Sequence, residues 1–312
     1  MTSKATTPQA LYQRAAQDAA HTVIRQYSTS FGVATAMLTE PVRTHVRNIY
    51  ALVRVADEIV DGSFDPAPIP HLTAALDALE AEVAQAMDRG FSTNLIVHAF
   101  AHTAVTCGIT DAEIAPFFAS MRRDLGDPYY TAEELSTYIY GSAEVIGMMC
   151  LRAFAQAPDV APTQRSTLVA DNIDAARALG AAFQKINFLR DLAADQGELG
   201  RYYFPDVAAK GLTEPVKNEI LADIEHDLDV ARQGIARLPG SSRGAVKAAY
   251  LLFTSLTRKL RRASCDELRT RRLRLTTPHK AVVLARSALP TTPRPRIQHS
   301  AGWTDSKALT HP

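Results

Sequence analysis

The segment from Phe183 to Asp195 carries polar residues at a strict four-residue interval. Asn187, Asp191 and Asp195 therefore share one face of a predicted helix, and Gln184 borders that face. The other sides of the helix are apolar, which predicts that it is largely buried. Buried carboxylates need a partner or a metal, because charges are costly to remove from water. The sequence therefore predicts a cation over this face.

A second apolar segment, residues 47–61, repeats the pattern. Asp57 and Asp61 lie four residues apart, with Arg54 one turn earlier. Two such helices facing each other across a cavity would present carboxylate oxygens, which suit Mg²⁺ or Mn²⁺ completed by waters and substrate phosphates. Arg54 and Arg190, beside the two acidic pairs, are suited to hold phosphate oxygens.

A single Asp-x-x-x-Asp motif is weak evidence. Most instances are solvated helix faces or surface ion pairs. Two copies inside apolar helices, each with a neighbouring arginine, favour a functional site over that alternative.

Three stretches carry a resemblance to a known family. The stretch from Tyr50 to Asp61 resembles the first aspartate motif of the squalene/phytoene synthase family. The stretch from Asn187 to Asp195, followed by Gly200-Arg-Tyr-Tyr-Phe-Pro205, resembles the second. Tyr27-Ser-Thr-Ser-Phe31 is similar to the N-terminal Ser-Phe signature of the family. The matches occur in family order between about residue 20 and residue 285.

The resemblance implies an all-α, single-domain helical bundle of the isoprenoid-synthase type around a central cavity. The chain is most similar to bacterial members that make phytoene. The implied reaction is a Mg²⁺- or Mn²⁺-dependent, head-to-head condensation of two geranylgeranyl diphosphates through a cyclopropyl (prephytoene) diphosphate, in carotenoid biosynthesis. Two or three ions are expected to bind with the substrate diphosphate. No nucleotide-binding fingerprint is present, so no reductive step with NADPH is expected.

The resemblance also implies roles for individual residues. The expected metal ligands are Asp57, Asp61, Asn187, Asp191 and Asp195. The expected catalytic residues are Asp57, Asp61, Asp191, Asp195, Arg54, Arg190 and Tyr138. The expected substrate-binding residues are Ser28, Ser30, Phe31, Arg54, Gln184, Asn187, Arg190, Arg201, Tyr203, Tyr250 and Arg272.

Several of these roles have structural alternatives. Arg201 and Tyr203 either close over the diphosphate as part of a flexible segment or pack as an ordinary loop. Tyr250 either borders the diphosphate or belongs to the core. Asp124, which follows two arginines at a helix end, forms either a surface ion pair or part of the site. Glu144 stands where the family has a glycine, which leaves the shape of the channel open.

Other enzyme and non-enzyme classes remain as alternatives. A squalene or dehydrosqualene synthase would use two farnesyl diphosphates, and only the channel depth distinguishes it. Chain-elongating prenyltransferases and terpene cyclases usually begin with Asp-Asp-x-x-Asp, whereas here Glu58 follows Asp57. A non-catalytic assembly factor would be expected to lose metal carboxylates, and all four are present.

Composition sets limits on partners and compartment. The net charge of +1 gives no argument for a nucleic-acid partner. Three widely spaced cysteines suit a reducing, cytoplasmic compartment. No apolar run approaches the roughly 20 residues of a membrane span. The basic residues 258–274 are either a solvated face or a peripheral contact with the inner face of a membrane.

Helical periodicity predicts a helical domain over residues 1–289. Two segments, residues 131–154 and 242–272, are each predicted as one continuous helix. The first begins with a capping box in which Thr131 precedes Glu134 by three residues. Residues 290–312, rich in proline and polar residues, predict a disordered tail.

Overall fold

The computed structural model describes residues 7–28, 30–61, 64, 67–197, 200–277, 280 and 282. Within these ranges all regular elements are helical, and the one isolated bridge joins Tyr129 to Tyr202. The predicted all-α class is confirmed. The predicted tail, residues 290–312, lies outside the described residues, and the domain boundary at residue 289 stays a prediction.

The helices follow one another along the chain with short connections. They are α1 (Pro8–Tyr27), α2 (Ser30–Ala36), α3 (Val42–Val60), α4 (Ile69–Arg89), α5 (Leu95–Cys107), α6 (Asp111–Arg123), α7 (Ala132–Ile139), a π-helical turn (Tyr140–Glu144), α8 (Val145–Phe154), a 3-10 turn (Pro162–Gln164), α9 (Arg165–Gly197), α10 (Pro205–Lys210), α11 (Glu214–Ile235), α12 (Gly240–Arg262) and α13 (Cys265–Thr270).

Local capping explains where several helices begin. Thr7 caps α1, with its side chain accepting a hydrogen bond from the backbone N–H of Ala10 at 3.2 Å. The predicted capping box of α7 is confirmed, because the Thr131 hydroxyl accepts from the Glu134 N–H at 3.2 Å while the Glu134 carboxylate accepts from the Thr131 N–H at 2.8 Å. These hydrogen bonds satisfy N–H groups that have no partner inside the helix.

The largest helix, α9, lies between two hydrophobic clusters. The first cluster contains α3 through its buried residues Ile49 and Leu52, together with apolar faces of α4, α5, α6 and α8. The second contains Ile186 and Leu189 of α9, packed against α11, α12 and α13. Since α3 and α9 each bury an apolar face, their acidic residues are held at the edges of these two clusters.

Two glycines allow α9 to approach α8 and the preceding π-helical turn closely. A Cβ on Gly147 would lie 2.4 Å from the carbonyl oxygen of Ala176, and one on Gly180 would lie 2.4 Å from that of Ala143. Both distances are far below van der Waals contact, so no larger residue fits without moving a backbone. The small residues of this region therefore set the spacing of the two helices.

The prediction of one helix over residues 131–154 is wrong in detail. Residues 140–144 form a π-helical turn that separates α7 from α8. A Cβ on Gly141, in this turn, would lie 2.1 Å from the Pro116 carbonyl oxygen of α6. The turn thus lies directly against α6, and its extra residue changes the face that the following residues present.

The prediction of one helix over residues 242–272 is also wrong. Helix α12 ends at Arg262, and the chain restarts as α13 after Ser264, whose hydroxyl accepts from the Glu267 N–H at 3.1 Å. A serine followed three residues later by glutamate is a helix-start signal. Its consequence is that Arg272 leaves the helix axis and reaches the side of α9.

None of the helices in the described part of the chain has the length and apolar character needed to cross a membrane.

Gly180→Ala is expected to lower the free energy of unfolding by about 1–3 kcal/mol, because the added methyl group must displace the backbone of the π-helical turn at Ala143 and Glu144. Gly244→Ala, in α12, is the matched control, since a Cβ there meets nothing within 4 Å. The control is expected to be neutral or to stabilise by about 0.4–1 kcal/mol. Urea denaturation measures both, and equal effects would contradict the close helix contact.

Candidate active site

The first aspartate pair lies at the C-terminal end of α3. Arg54 pairs with Asp57, with 2.5 Å between Nη1 and Oδ2, and it also contacts the carboxylate of Glu58. The guanidinium of Arg54 lies 4.8 Å from the centroid of the Tyr27 ring. Arg54 is thus fixed beside the first acidic pair, as the sequence predicted.

The second aspartate pair lies near the end of α9 and has two arginines beside it. Arg190 Nε lies 2.8 Å from Asp191 Oδ1, and Arg272 Nε lies 2.6 Å from the same oxygen. Arg272 comes from the segment after α13, 81 residues away in sequence. Asn187 lies one turn before Asp191 and is half-buried. The structure therefore brings Arg190, Asn187 and Arg272 to the second pair.

Arg201 connects the two pairs. Its Nη1 donates to Asp61 Oδ1 at 2.8 Å and its Nη2 donates to the Val60 carbonyl at 2.6 Å. Its backbone N–H donates to the carbonyl of Asp195 at 2.7 Å. Only 8% of Arg201 is exposed. The ends of α3 and α9 are thus held at one place by a single residue.

The charges of the site act on one another across this bridge. Burial and the neighbouring Asp191 raise the pKa of Asp195 to about 7, while Arg201 opposes that rise. Burial and the neighbouring Asp61 raise the pKa of Asp57 in the same way. Asp61 also raises the pKa of Asp195, so carboxylates of the two helices repel one another electrostatically. A cation bound between the carboxylates would reduce this repulsion.

Asp124 belongs to the site rather than to a surface ion pair. Its carboxylate accepts from the Tyr138 hydroxyl at 2.7 Å and from the Tyr130 hydroxyl at 3.2 Å. Its backbone carbonyl accepts from Arg201 Nη2 at 3.4 Å. The preceding Arg122 pairs instead with Asp77 on α4. No periodic pattern marks Asp124 in the sequence, because Tyr130, Tyr138 and Arg201 follow it at the irregular separations of 6, 14 and 77 residues.

An apolar cavity of about 240 Å³ extends from the acidic end into the bundle. On α9 its lining runs from Gln184 to Asn172, twelve residues or about 18 Å along the helix. On α3 it runs from Val53, one turn before Asp57, to Val46. Leu38, Phe154 and Leu238 are among its other lining residues. The cavity is therefore deep. Its upper end is defined here as the end at Val53 and Gln184, which is the end nearest the acidic residues.

The N-terminal signature lies at the same end of the molecule. Phe31 stacks on Tyr50 with 5.5 Å between ring centroids, and Phe31 also lines the cavity. The Ser28 hydroxyl accepts from the Gly32 N–H at 3.3 Å. The side chain of Ser30 lies outside the described part of the structure. Phe31 and Gln184 are thus brought to the cavity, with Ser28 in the turn before α2.

Arg201 and Tyr203 are both tied to protein groups in this structure. Tyr203 is 7% exposed, and its ring stacks on Phe188 with 3.9 Å between centroids. The Tyr203 hydroxyl accepts from Arg201 Nη1 at 3.4 Å. Together with the hydrogen bonds of Arg201 to Asp61 and Val60, these contacts make the segment a packed connection between α3 and α9.

Tyr250 is not brought to the acidic residues. It is half-buried on α12 and packs against the second hydrophobic cluster. Burial raises its pKa, and the charged groups that act on it are Arg232, Asp229 and Arg258 rather than either aspartate pair. These surroundings agree with the alternative in which Tyr250 belongs to the core.

The structure shows which residues around α8 and α9 line the cavity. Glu144 pairs with Arg177 of α9 at 2.8 Å and is not among the residues that line the cavity. Ala143 and Gly147 line the cavity, but Ala182 is fully buried in the second cluster. Ala182 therefore gives no room to the channel.

The aspartate pairs suit a magnesium site that the substrate completes. Among the described residues, no three His, Cys, Asp or Glu side chains converge closely enough to hold an ion by themselves. Mg²⁺ normally keeps several waters and takes one or two carboxylates together with substrate phosphates. Two separate carboxylate pairs, each beside arginines, fit that mode of binding.

Asp195→Asn is expected to stabilise the protein in the presence of a chelator, and more so at high pH. Asp195 has a pKa of about 7 in the folded state, above its ordinary value of 3.8. The carboxyl group therefore destabilises the fold most at high pH, where it is ionised in both the folded and the unfolded protein. The free energy of unfolding accordingly falls as pH rises from about 4 through 7. The neutral asparagine does not ionise, so Asp195→Asn should not lose stability in this way. Its free energy of unfolding should exceed that of the wild type by an amount that grows over that range to about 1–3 kcal/mol at pH 8.

Thermal unfolding of both proteins between pH 4 and pH 8 measures this difference. Asp229→Asn is the control, since the Asp229 side chain is 72% exposed and should show no such trend. A loss of stability in Asp195→Asn at pH 8 would mean that the carboxylate stabilises the fold.

Comparison with known proteins identifies the family. The sequence model of the squalene/phytoene synthase family matches residues 24–279. A chloroplastic phytoene synthase of Daucus carota is 30% identical over 258 residues, which are 77% of this chain and 62% of that protein. Phytoene synthase 2 of Solanum lycopersicum is 28% identical over 296 residues, which are 88% of this chain and 92% of that protein. The chain thus spans less than two thirds of the carrot relative.

Solved structures share the fold. A dehydrosqualene synthase superposes with a TM-score of 0.72 at 19% identity, covering 90% of this chain and 98% of that one. The squalene synthase HpnC from Alicyclobacillus acidocaldarius superposes with a TM-score of 0.68 at 22% identity, covering 82% of this chain and 96% of that one. With the family match extending over most of its length, the chain belongs to the squalene/phytoene synthase family.

Proposed function

We propose that this protein is a phytoene synthase, which condenses two geranylgeranyl diphosphates head to head through prephytoene diphosphate. The observation that carries the proposal is the meeting of both aspartate pairs at Arg201, beside the upper end of a deep apolar cavity. That arrangement joins a site for a charged diphosphate to a site for a long hydrocarbon chain.

The charged end would bind the diphosphate through arginines and metal ions. Arg54, Arg190 and Arg272 lie beside the acidic pairs and are suited to phosphate oxygens. Two or three Mg²⁺ or Mn²⁺ ions would be held by Asp57, Asp61, Asn187, Asp191 and Asp195. Bound there, these ions supply counter-charge for the diphosphate as it leaves.

The apolar end would hold the prenyl chain and keep water away from it. An allyl cation formed by loss of diphosphate reacts with water unless its surroundings are dry. Aromatic rings stabilise a cation through their faces, and the cavity is lined by Phe31 and Phe183. Phe183 is further fixed by stacking on Phe253, with 3.7 Å between centroids. These residues position the chain without taking part in bond formation.

Two observations favour the C20 substrate. The cavity follows α9 for about 18 Å, and a longer chain buries more apolar groups, at roughly 0.8 kcal/mol for each CH₂. The sequence relatives named above, at 28% and 30% identity, are phytoene synthases. A squalene or dehydrosqualene synthase using two farnesyl diphosphates is the second candidate, and the folds of such enzymes superpose on this one.

Release of the hydrocarbon product to a membrane surface forms a smaller part of the proposal. The basic residues 258–274 face solvent in large part, but several already pair with acids. Arg261 lies 2.8 Å from Glu225, and Arg269 lies 2.9 Å from Asp266. Any attraction to anionic lipid would therefore depend on the remaining basic residues, at about 1 kcal/mol for each one near the surface.

A product assay with purified protein tests the substrate. With Mg²⁺ and without NADPH, geranylgeranyl diphosphate is expected to give a C40 hydrocarbon, and farnesyl diphosphate to give little or no product. The measurement is the hydrocarbon released from each substrate in turn. Efficient C30 formation without any C40 product would contradict the C20 proposal and support the second candidate.

Asp57→Asn and Asp191→Asn are each expected to lower kcat by at least about a hundredfold, because each removes charge that balances the metal ions. Both variants should keep a melting temperature near or above that of the wild type. Asp206→Asn is the matched control, since Asp206 forms only an exposed pair with Lys210 at 2.8 Å. Variants that unfold would instead assign these aspartates a structural role.

A further inference from the structure

Three tyrosine hydroxyls converge on one buried carboxylate beside the site. Asp124 follows directly after α6 and accepts from Tyr138 at 2.7 Å, from Tyr130 at 3.2 Å and from Tyr203 at 3.5 Å. The rings also pack together, with 5.3 Å between the centroids of Tyr130 and Tyr138 and 5.5 Å between those of Tyr138 and Tyr203. We call these four residues the tyrosine cluster.

The carboxylate fixes the direction of the hydrogen bonds. An ionised carboxylate only accepts, so each phenol must donate its one proton to Asp124. Tyr203 agrees with this direction, because its oxygen accepts from Arg201 Nη1 at 3.4 Å. Tyr138 consequently has its proton engaged on Asp124, and its oxygen is left as an acceptor. Cooperative chains of this kind hold each hydroxyl in one orientation.

The tyrosine cluster is joined to both aspartate pairs. Arg201 donates to the backbone carbonyl of Asp124 at 3.4 Å and to the carboxylate of Asp61 at 2.8 Å. The backbone N–H of Arg201 holds the Asp195 carbonyl. Tyr138, one turn before Ser142, precedes the π-helical turn whose Ser142 and Ala143 line the cavity. Arg201 thus links Asp124 to both metal motifs, while Tyr138 lies one turn before residues that line the cavity.

We propose that Asp124 is a positioning residue for the condensation reaction. Its carboxylate holds the Tyr138 hydroxyl with the phenol oxygen available as an acceptor, while its backbone carbonyl accepts from Arg201. The inference rests on the proposed function, but Asp124 lies outside both aspartate motifs. An asparagine has nearly the same shape yet offers one acceptor and one donor group, so it cannot accept from all three phenols.

A double-mutant cycle tests whether Asp124 acts through Tyr138. The variants are Asp124→Asn, Tyr138→Phe and the double variant, assayed by product release with Mg²⁺. Asp124→Asn is expected to lower kcat by about 10- to 100-fold, as partners of functional groups do, while KM changes less than about threefold. In the Tyr138→Phe background the same change should lower kcat by no more than about threefold, because the interaction is already lost.

Asp127→Asn is the matched control for this cycle. Asp127 lies three residues further on and is exposed, and its carboxylate accepts from the Tyr129 N–H at 2.9 Å. It should keep wild-type kcat. If Asp124→Asn does not fold, Asp124→Glu takes its place, because a longer side chain moves the same carboxylate away from Tyr138. Melting temperatures with and without Mg²⁺ and inorganic diphosphate report folding and binding separately from turnover.

The outcomes separate this inference from the proposed function. A kcat loss with unchanged KM, an unchanged ligand-induced rise in melting temperature, and non-additivity with Tyr138→Phe support it. Additive losses of kcat in the double variant, or a kcat of Asp124→Asn equal to that of Asp127→Asn, overturn it. A lower kcat accompanied by a higher KM and a smaller ligand-induced rise in melting temperature also overturns it. Wild-type protein that releases no hydrocarbon from either substrate contradicts the proposed function, and this inference with it.

Discussion

The ion pair between Arg201 and Asp61 is the interaction on which the site depends. It connects a residue just after α9 to the end of α3, 140 positions earlier in the sequence. Each helix ends in two carboxylates, and without a shared cation their mutual repulsion would favour separating the helix ends. Because the same arginine donates its backbone N–H to Asp195, it holds both ends by short hydrogen bonds. The spacing of the acidic residues is thereby fixed before any ligand binds.

The cavity depends on a different constraint, the close approach of α8 and α9. Gly147 and Gly180 let backbone meet backbone here, and both also line the cavity, together with larger residues such as Phe154 and Leu179. An apolar void forgoes dispersion contacts and destabilises the fold. The buried carboxylates act in the same direction, as the raised pKa of Asp195 indicates. Both features lower stability at the place where the proposed chemistry needs room and charge.

The sequence was sufficient where the relevant contacts are local. The aspartate pairs follow from a four-residue interval, the start of α7 follows from Thr131 and Glu134, and the all-α class follows from helical periodicity. It was insufficient where contacts join distant segments. The bonds of Arg201 to Asp61 and of Arg272 to Asp191 span 140 and 81 positions. The π-helical turn was missed, and the contact of Gly141 with α6 that accompanies it lies outside the local pattern.

For Arg201 and Tyr203 the residue types alone did not indicate which groups the two side chains contact in the folded protein. An arginine and a tyrosine after a metal-binding helix are suited to close over a diphosphate, and the resemblance implied that role. In the structure the Arg201 guanidinium donates to a carboxylate, a phenol and two backbone carbonyls. A buried arginine with this many partners would lose several hydrogen bonds if it turned toward a ligand. Its positive charge can still act on a bound diphosphate through the low-dielectric interior, without movement of the side chain. In the proposed function a fixed Arg201 would therefore serve the same electrostatic end as a mobile one, and the direct contacts with phosphate would fall to Arg54, Arg190 and Arg272.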